Sequence, residues 1–203
     1  MPTRQTTRFA DQLNSMPTTQ KIPEFRPKLI IGIGNPGLIY RKTYHNIGFL
    51  FIDHLADQLG LKLKKSPSNK FGFAKSKNFV LVKSNLFMNE SGGAAAEAKK
   101  FFKIPVESTL VVHDDSDLEI NHYKLSFDRG SGGHRGIISI IEHLKTKKFW
   151  RLRIGIRKNA IAGKNKREKA GSFVLKKITP QDLKNFQLVF DSITEKEIEK
   201  ANP

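Results

Sequence analysis

Six histidines and the aspartates Asp114, Asp115 and Asp117 are the groups in this sequence best suited to moving a proton at neutral pH. Cysteine is absent, which removes a thiol nucleophile, Cys-ligated zinc or iron–sulfur sites and any disulfide. No Gly-x-Ser-x-Gly elbow occurs, so a covalent serine hydrolase has little support. The histidines lack His-Glu-x-x-His spacing, and the acidic run alone is a weak magnesium signal. A histidine oriented by an aspartate, taking a proton from water, fits better. Imidazole already titrates near neutral pH, and a carboxylate on its second nitrogen fixes the tautomer. Three histidines compete for the role. His45 shares a polar turn with Asn35, Tyr40 and Asn46, His113 directly precedes the acidic run, and His134 sits in the glycine-rich stretch 130–136. His54, His122 and His143 fall in helix or strand patterns, where packing or solvent contact accounts for them. Location favours His45; the residue types leave the choice open.

The turn carrying His45 opens with Gly32, Gly34 and Gly37 after the apolar run 29–33, a Gly-x-Gly-x-x-Gly pattern of the kind that binds dinucleotides. That use requires a helix starting inside the motif, so that its amides meet the pyrophosphate, and an acidic residue about 20 residues on at the end of a second strand. Here helical periodicity begins only near Ile47, and Asp53 and Asp57 lie on a polar helix face. The pattern argues against a nicotinamide or flavin cofactor and leaves the glycines to shape a turn.

The elements that must position these groups alternate along the chain. Strand patterns occupy 28–33, 60–64, 71–75, 79–83, 109–112, 122–127 and 150–156; helical patterns occupy 47–59, 92–102, 133–144 and 180–201. In the first helix Phe49, Ile52, Leu55, Ala56 and Leu59 share one face, with Asn46 expected to cap it and Gly60 to end it. Ser91 and Thr179 are the expected caps of the second and last. No repeat or linker interrupts 28–203, which predicts a single α/β domain: a twisted mixed β-sheet with helices on both faces. Polar clusters at 35–46, 87–91, 113–117 and 130–136 fall where strands give way to helices, so four loops are expected to meet at the carboxyl ends of the strands.

Lys plus Arg number 36 against 19 Asp plus Glu, a formal net charge of +17, and such a field draws polyanions, RNA or DNA first among them. Basic residues gather late in the chain, at 145–158 and in the run Lys164, Lys166, Arg167 and Lys169. No apolar run approaches a bilayer-spanning length. Residues 1–27 are Thr-rich, carry Arg4 and Arg8, and lack a signal-peptide core. They are expected to form a flexible extension, with Met16 as an alternative start. A cytoplasmic location follows, or the mitochondrial matrix or another organelle if the extension is a transit peptide.

Five motifs in order resemble one family. Gly32, Gly34, Asn35, Pro36 and Gly37, then Tyr40, then Thr43 to Asn46, resemble the opening signature of bacterial-type peptidyl-tRNA hydrolases. Phe87-Met88-Asn89-Glu90-Ser91-Gly92 is similar to the second motif and the stretch from Val112 to Leu118 to the third. Gly130 to Gly136, followed by Phe149 to Ile156, is similar to the fourth and fifth. The resemblance implies an enzyme that cleaves the ester between a peptide and the 3′ ribose of tRNA, recycling tRNA for translation. It implies His45 as general base, Asp114 as its orienting carboxylate, Asn35 as the contact to the peptide side, and Asn89 as a holder of substrate, water or oxyanion. Tyr40, Phe87 and Met88 would line the 3′ end, Lys124 and Arg153 would receive the 5′ phosphate, and His134 and Arg135 would contact tRNA. No metal, cofactor or membrane is implied, and a monomer is expected. The chain departs from the family pattern with Arg135 in place of Asn, Tyr44 in place of Arg and Asn121 in place of Gly. The rival reading is an RNA-binding protein on the same fold without catalysis, to which the joint presence of Asn35, His45, Asn89 and Asp114 is opposed.

Overall fold

Leu29, Ile30, Ile31 and Ile33 are all buried, because alternate side chains of this first strand serve two different cores. The computed structural model describes residues 22–158, 171 and 173–201. Most of the expected N-terminal extension and the basic run Lys164 to Lys169 lie outside the described residues. Among the described residues the strands are β1 (Leu29–Gly32), β2 (Lys64–Lys65), β3 (Phe71–Lys75), β4 (Val80–Ser84), β5 (Thr109–Glu119), β6 (Tyr123–Phe127) and β7 (Trp150–Arg157). They form one sheet in the order β2-β3-β4-β1-β5-β7-β6. β4, β1, β5 and β7 run parallel through its centre, while β3 and β2 on one edge and β6 on the other are antiparallel.

The α-helices are α1 (Ile47–Gln58), α2 (Ser91–Phe102), α3 (Arg135–Leu144) and α4 (Pro180–Ile193). On one face Phe51, Ile52 and Leu55 of α1 and Phe186 and Phe190 of α4 pack with Ile30, Leu110, Val112 and Leu152. On the other, Ala94 and Ala98 of α2 and Ile137 and Ile140 of α3 pack with Leu29, Ile31, Val82 and Val111. The expected mixed sheet with helices on both faces is the observed one.

Several local expectations change. β5 does not stop at Val112: Asp114 and Asp115 pair with Ile154 and Gly155 of β7, and the strand ends at Glu119. The ladder uses main-chain groups, so polar side chains do not end it. The strand expected at 60–64 shrinks to Lys64–Lys65. The last helix is α-helical only to Ile193 and continues as a π-helical turn, Thr194–Glu199. Thr179 caps α4 by accepting from the amide of Asp182, and Gly60 takes a left-handed φ of +63° just past α1, both as expected. Asn46 makes no cap bond, and Ser91 is not a cap but the first residue of α2, whose N-cap is Glu90. In each case a 3₁₀ turn, Tyr44–Asn46 or Met88–Glu90, feeds the helix with the chain already coiled.

Candidate active site

The glycine pattern proves to be a seat for α1. A β-carbon on Gly32 would stand 2.3 Å from the carbonyl oxygen of Gly48, and one on Gly48 would stand 2.3 Å from that of Val112. Two bare backbones therefore let the start of α1 lie directly on the end of β1 and on β5 at Val112. Gly37, at φ +103°, turns the chain so that Thr43 to Asn46 return over the sheet. The amide of Asn46, freed from capping, clamps this return: its Oδ1 accepts from Asn35 N at 2.8 Å and its Nδ2 donates to Asn35 O at 2.9 Å. Asn35 Oδ1 in turn accepts from Met88 N at 2.9 Å, which ties the loop carrying Met88 and Asn89 to the same turn.

Three histidines converge on Asp114, and their hydrogen bonds separate them. His45 Nδ1 lies 2.9 Å and His134 Nε2 3.0 Å from the same oxygen, Asp114 Oδ1, so each ring donates its N–H there. His134 Nδ1 accepts from Ile137 N at 3.4 Å as the cap of α3, so its lone pair is used. His113 Nδ1 donates to the carbonyl of Asp114 at 2.7 Å, and its Nε2 is buried without a partner. Burial, then the neighbouring His134, hold the pKa of His113 well below its ordinary value, so it is neutral. His45 is different: with its proton on Nδ1, the lone pair on Nε2 remains for a ligand. Burial of Asp114 would raise its pKa, but His134 and His45 outweigh that and hold it far below the usual carboxylate range. The acceptor is thus ionised at any pH where the imidazoles matter. Ligand atoms of His45, Asp114 and His134 lie within 4.8 Å of one another, a grouping that could hold a divalent metal. Their separations from the shared oxygen are those of hydrogen bonds.

The cleft over this cluster has a volume of about 600 Å³ and is lined by Asn35, His45, Met88, Asn89, Asp114, His134, Arg135 and Arg153 among the residues expected from sequence. Tyr40 and Phe87 meet edge-on with ring centres 6.2 Å apart and are not among its lining residues. Lys124 is exposed on β6, directly opposite Arg153 in the β6–β7 register. Arg153 is not a free cation, since its Nε lies 2.6 Å from Asp115 Oδ2.

The wall also holds residues that sequence reasoning left out of the site, including Arg129, Arg151, Val174 and Leu175. Arg151 is buried, donates from Nη1 to Gly130 O at 2.7 Å, and has its pKa lowered to about 10, chiefly by burial. Its place on β7, in alternation with Arg153, was the available signal. The main-chain oxygen of Val174 accepts from His45 N at 2.8 Å, and no side-chain pattern announces that. Of the departures, Asn121 holds a left-handed φ of 78°, as an Asn replacing Gly can. Arg135 is exposed at the start of α3, and Tyr44 is buried with its hydroxyl on Asp182.

A mixed α/β sheet whose crevice sets a histidine on an ionised, buried aspartate fits a hydrolase. The family model of peptidyl-tRNA hydrolase matches residues 29–200, and the chain belongs to that family. A peptidyl-tRNA hydrolase of Mycoplasmopsis pulmonis is 36% identical over 169 residues, 83% of this chain and 87% of the relative. One from Lactobacillus delbrueckii subsp. bulgaricus is 46% identical over 134 residues, 64% of this chain and 72% of the relative. Among solved structures, the peptidyl-tRNA hydrolase of Acinetobacter baumannii superposes with a TM-score of 0.70 at 29% identity, covering 89% of this chain and 96% of that one.

Proposed function

We propose that the enzyme hydrolyses peptidyl-tRNA in this cleft with water activated by His45. The observation that carries the reading is the 2.9 Å contact of His45 Nδ1 with ionised Asp114, which leaves Nε2 as the base. Water gives its proton to Nε2 and adds to the ester carbonyl carbon. The bond to the 3′ oxygen of the terminal ribose then breaks, and the imidazolium returns the proton to that leaving oxygen. The products are the peptide acid and free tRNA.

Asn35, with Oδ1 committed to Met88 N, turns its Nδ2 donor to the peptide side, and Asn89 holds the substrate or the developing oxyanion. Tyr40, Phe87 and Met88 receive the 3′ end. Lys124 and Arg153, neighbours across β6 and β7, receive the 5′ phosphate, with Asp115 fixing the guanidinium. His134, both of whose nitrogens are used inside the protein, supports Asp114 more than it contacts RNA. Arg135 takes a phosphate of the tRNA end by charge.

The reading has the enzyme act as a cytoplasmic monomer without a metal. No helix among the described residues is long and apolar enough to cross a membrane. The test is release of tRNA from N-acetyl-aminoacyl-tRNA by purified protein, before and after dialysis against a chelator. Equal rates are expected. Protein that binds the substrate without cleaving it would instead favour an RNA-binding role, and loss of rate on chelation would assign a metal to His45, Asp114 and His134.

A further inference from the structure

The base sits on a turn, while its carboxylate sits on the sheet, 69 residues away in sequence. On the sheet side the turn is fixed by the two glycines and by Asn46. On its outer side it is stitched to the stretch 173–178: Ile178 N donates to Lys42 O at 2.8 Å, Tyr44 N to Lys176 O at 3.3 Å and His45 N to Val174 O at 2.8 Å. That stretch runs straight into α4, whose first turn is closed by Thr179 and Asp182. There the hydroxyl of Tyr44 donates to Asp182 Oδ2 at 2.5 Å, and Thr179 Oγ1 at 2.7 Å and Lys158 Nζ at 3.1 Å reach the same oxygen. The Tyr44 ring is buried edge-on between Phe173 and Phe186. Burial first, then Asp182, raise the pKa of the phenol, which therefore stays a donor. A hydrogen bond to an ionised acceptor is among the stronger ones a side chain can make. Neither Tyr44 nor Asp182 lines the cleft.

We propose that Tyr44 and Asp182 form a positioning pair for the reaction, locking the turn that carries His45 against α4 and so setting the angle of the imidazole on Asp114. This rests on His45 being the base. Neither residue touches substrate, so its loss changes the chemical step and leaves binding alone.

Tyr44→Phe removes one oxygen atom and keeps the ring in its aromatic socket. Single-turnover hydrolysis of N-acetyl-aminoacyl-tRNA is expected to slow roughly 10-fold, since small misplacements of a reacting group are costly, with KM unchanged. Asp182→Ala breaks the same bond from the other end, and the double variant should be no slower than the slower single one. Wild-type rate in both variants with only a lowered Tm, or a loss carried by KM alone, would make the contact purely structural and overturn the inference. So would rate losses that multiply in the double variant. Full activity in His45→Ala would instead remove the reading beneath it, whatever Tyr44→Phe does.

Discussion

The buried inner part of the cleft and the exposed basic groups around it are built on opposite terms. In the inner part Asp114 and His113 are buried, and Asp114 accepts from His45 and His134 through its side chain and from His113 through its carbonyl. In the outer part, Lys124 and Arg135 stand in solvent, and Arg153 is steadied by a single carboxylate. Burial makes protonation a property of the neighbours, so the inner part can fix which nitrogen holds a proton. Exposed charge is screened by salt and adaptable in position, which suits a long polyanion but not bond cleavage. The comparison predicts that inner substitutions change rates and outer ones change affinity and its salt dependence.

The largest effect is expected at His45. His45→Ala should abolish ester cleavage in single-turnover assays while tRNA affinity and fold persist; near wild-type speed would break the contrast at once. Asp114→Asn should be impaired heavily but less completely, because the base remains while its tautomer and orientation are lost.

His113 extends the contrast to stability. Its folded pKa is depressed, so the unfolded chain binds the extra proton first as pH falls. Its contribution is therefore complete above the unfolded value, near ~6.5, and is lost progressively below it. Melting temperature should fall between pH 7 and pH 5 and do so less in His113→Gln. An unchanged slope would mean that the ring is not held neutral. Asp114, shifted far down, should add nothing to that slope, since its contribution is lost only in strong acid.

In the outer part the effects are smaller. Lys124→Ala or Arg153→Ala should weaken use of substrates bearing a 5′ phosphate more than of those lacking it. Equal losses on both would leave a general phosphate role. The smallest change is expected from Arg135→Asn, which should keep or raise the rate and lower the salt sensitivity of binding by about one phosphate contact. A rate loss of ~10²-fold with an unchanged salt slope would make Arg135 an oxyanion donor and move it to the inner part.

Much of the inner part could be read in the chain before any coordinates. The glycine pattern with the crowding of Asn35, Tyr40, His45 and Asn46, and the acidic run, marked two of the segments that meet there. What stayed hidden was carried by main chain or by competition. β5 runs through polar residues because β7 supplies ladder partners, which side-chain periodicity does not record. Asn46 has the composition of a cap, but Asn35 claims its amide. The three histidines could not be ranked by type, because what divides them is where each second nitrogen points. The wall at Val174 is one carbonyl oxygen meeting the amide of His45 from far along the chain.

That division of the histidines is the centre of the account, and nitrogen-15 spectra of the imidazoles test it most directly. In their neutral forms, His45 should carry its proton on Nδ1 with an unprotonated Nε2 and His134 on Nε2 with an unprotonated Nδ1, while His113 stays neutral with its proton on Nδ1. A His45 protonated on Nε2, with its lone pair toward Asp114, would contradict its assignment as the base.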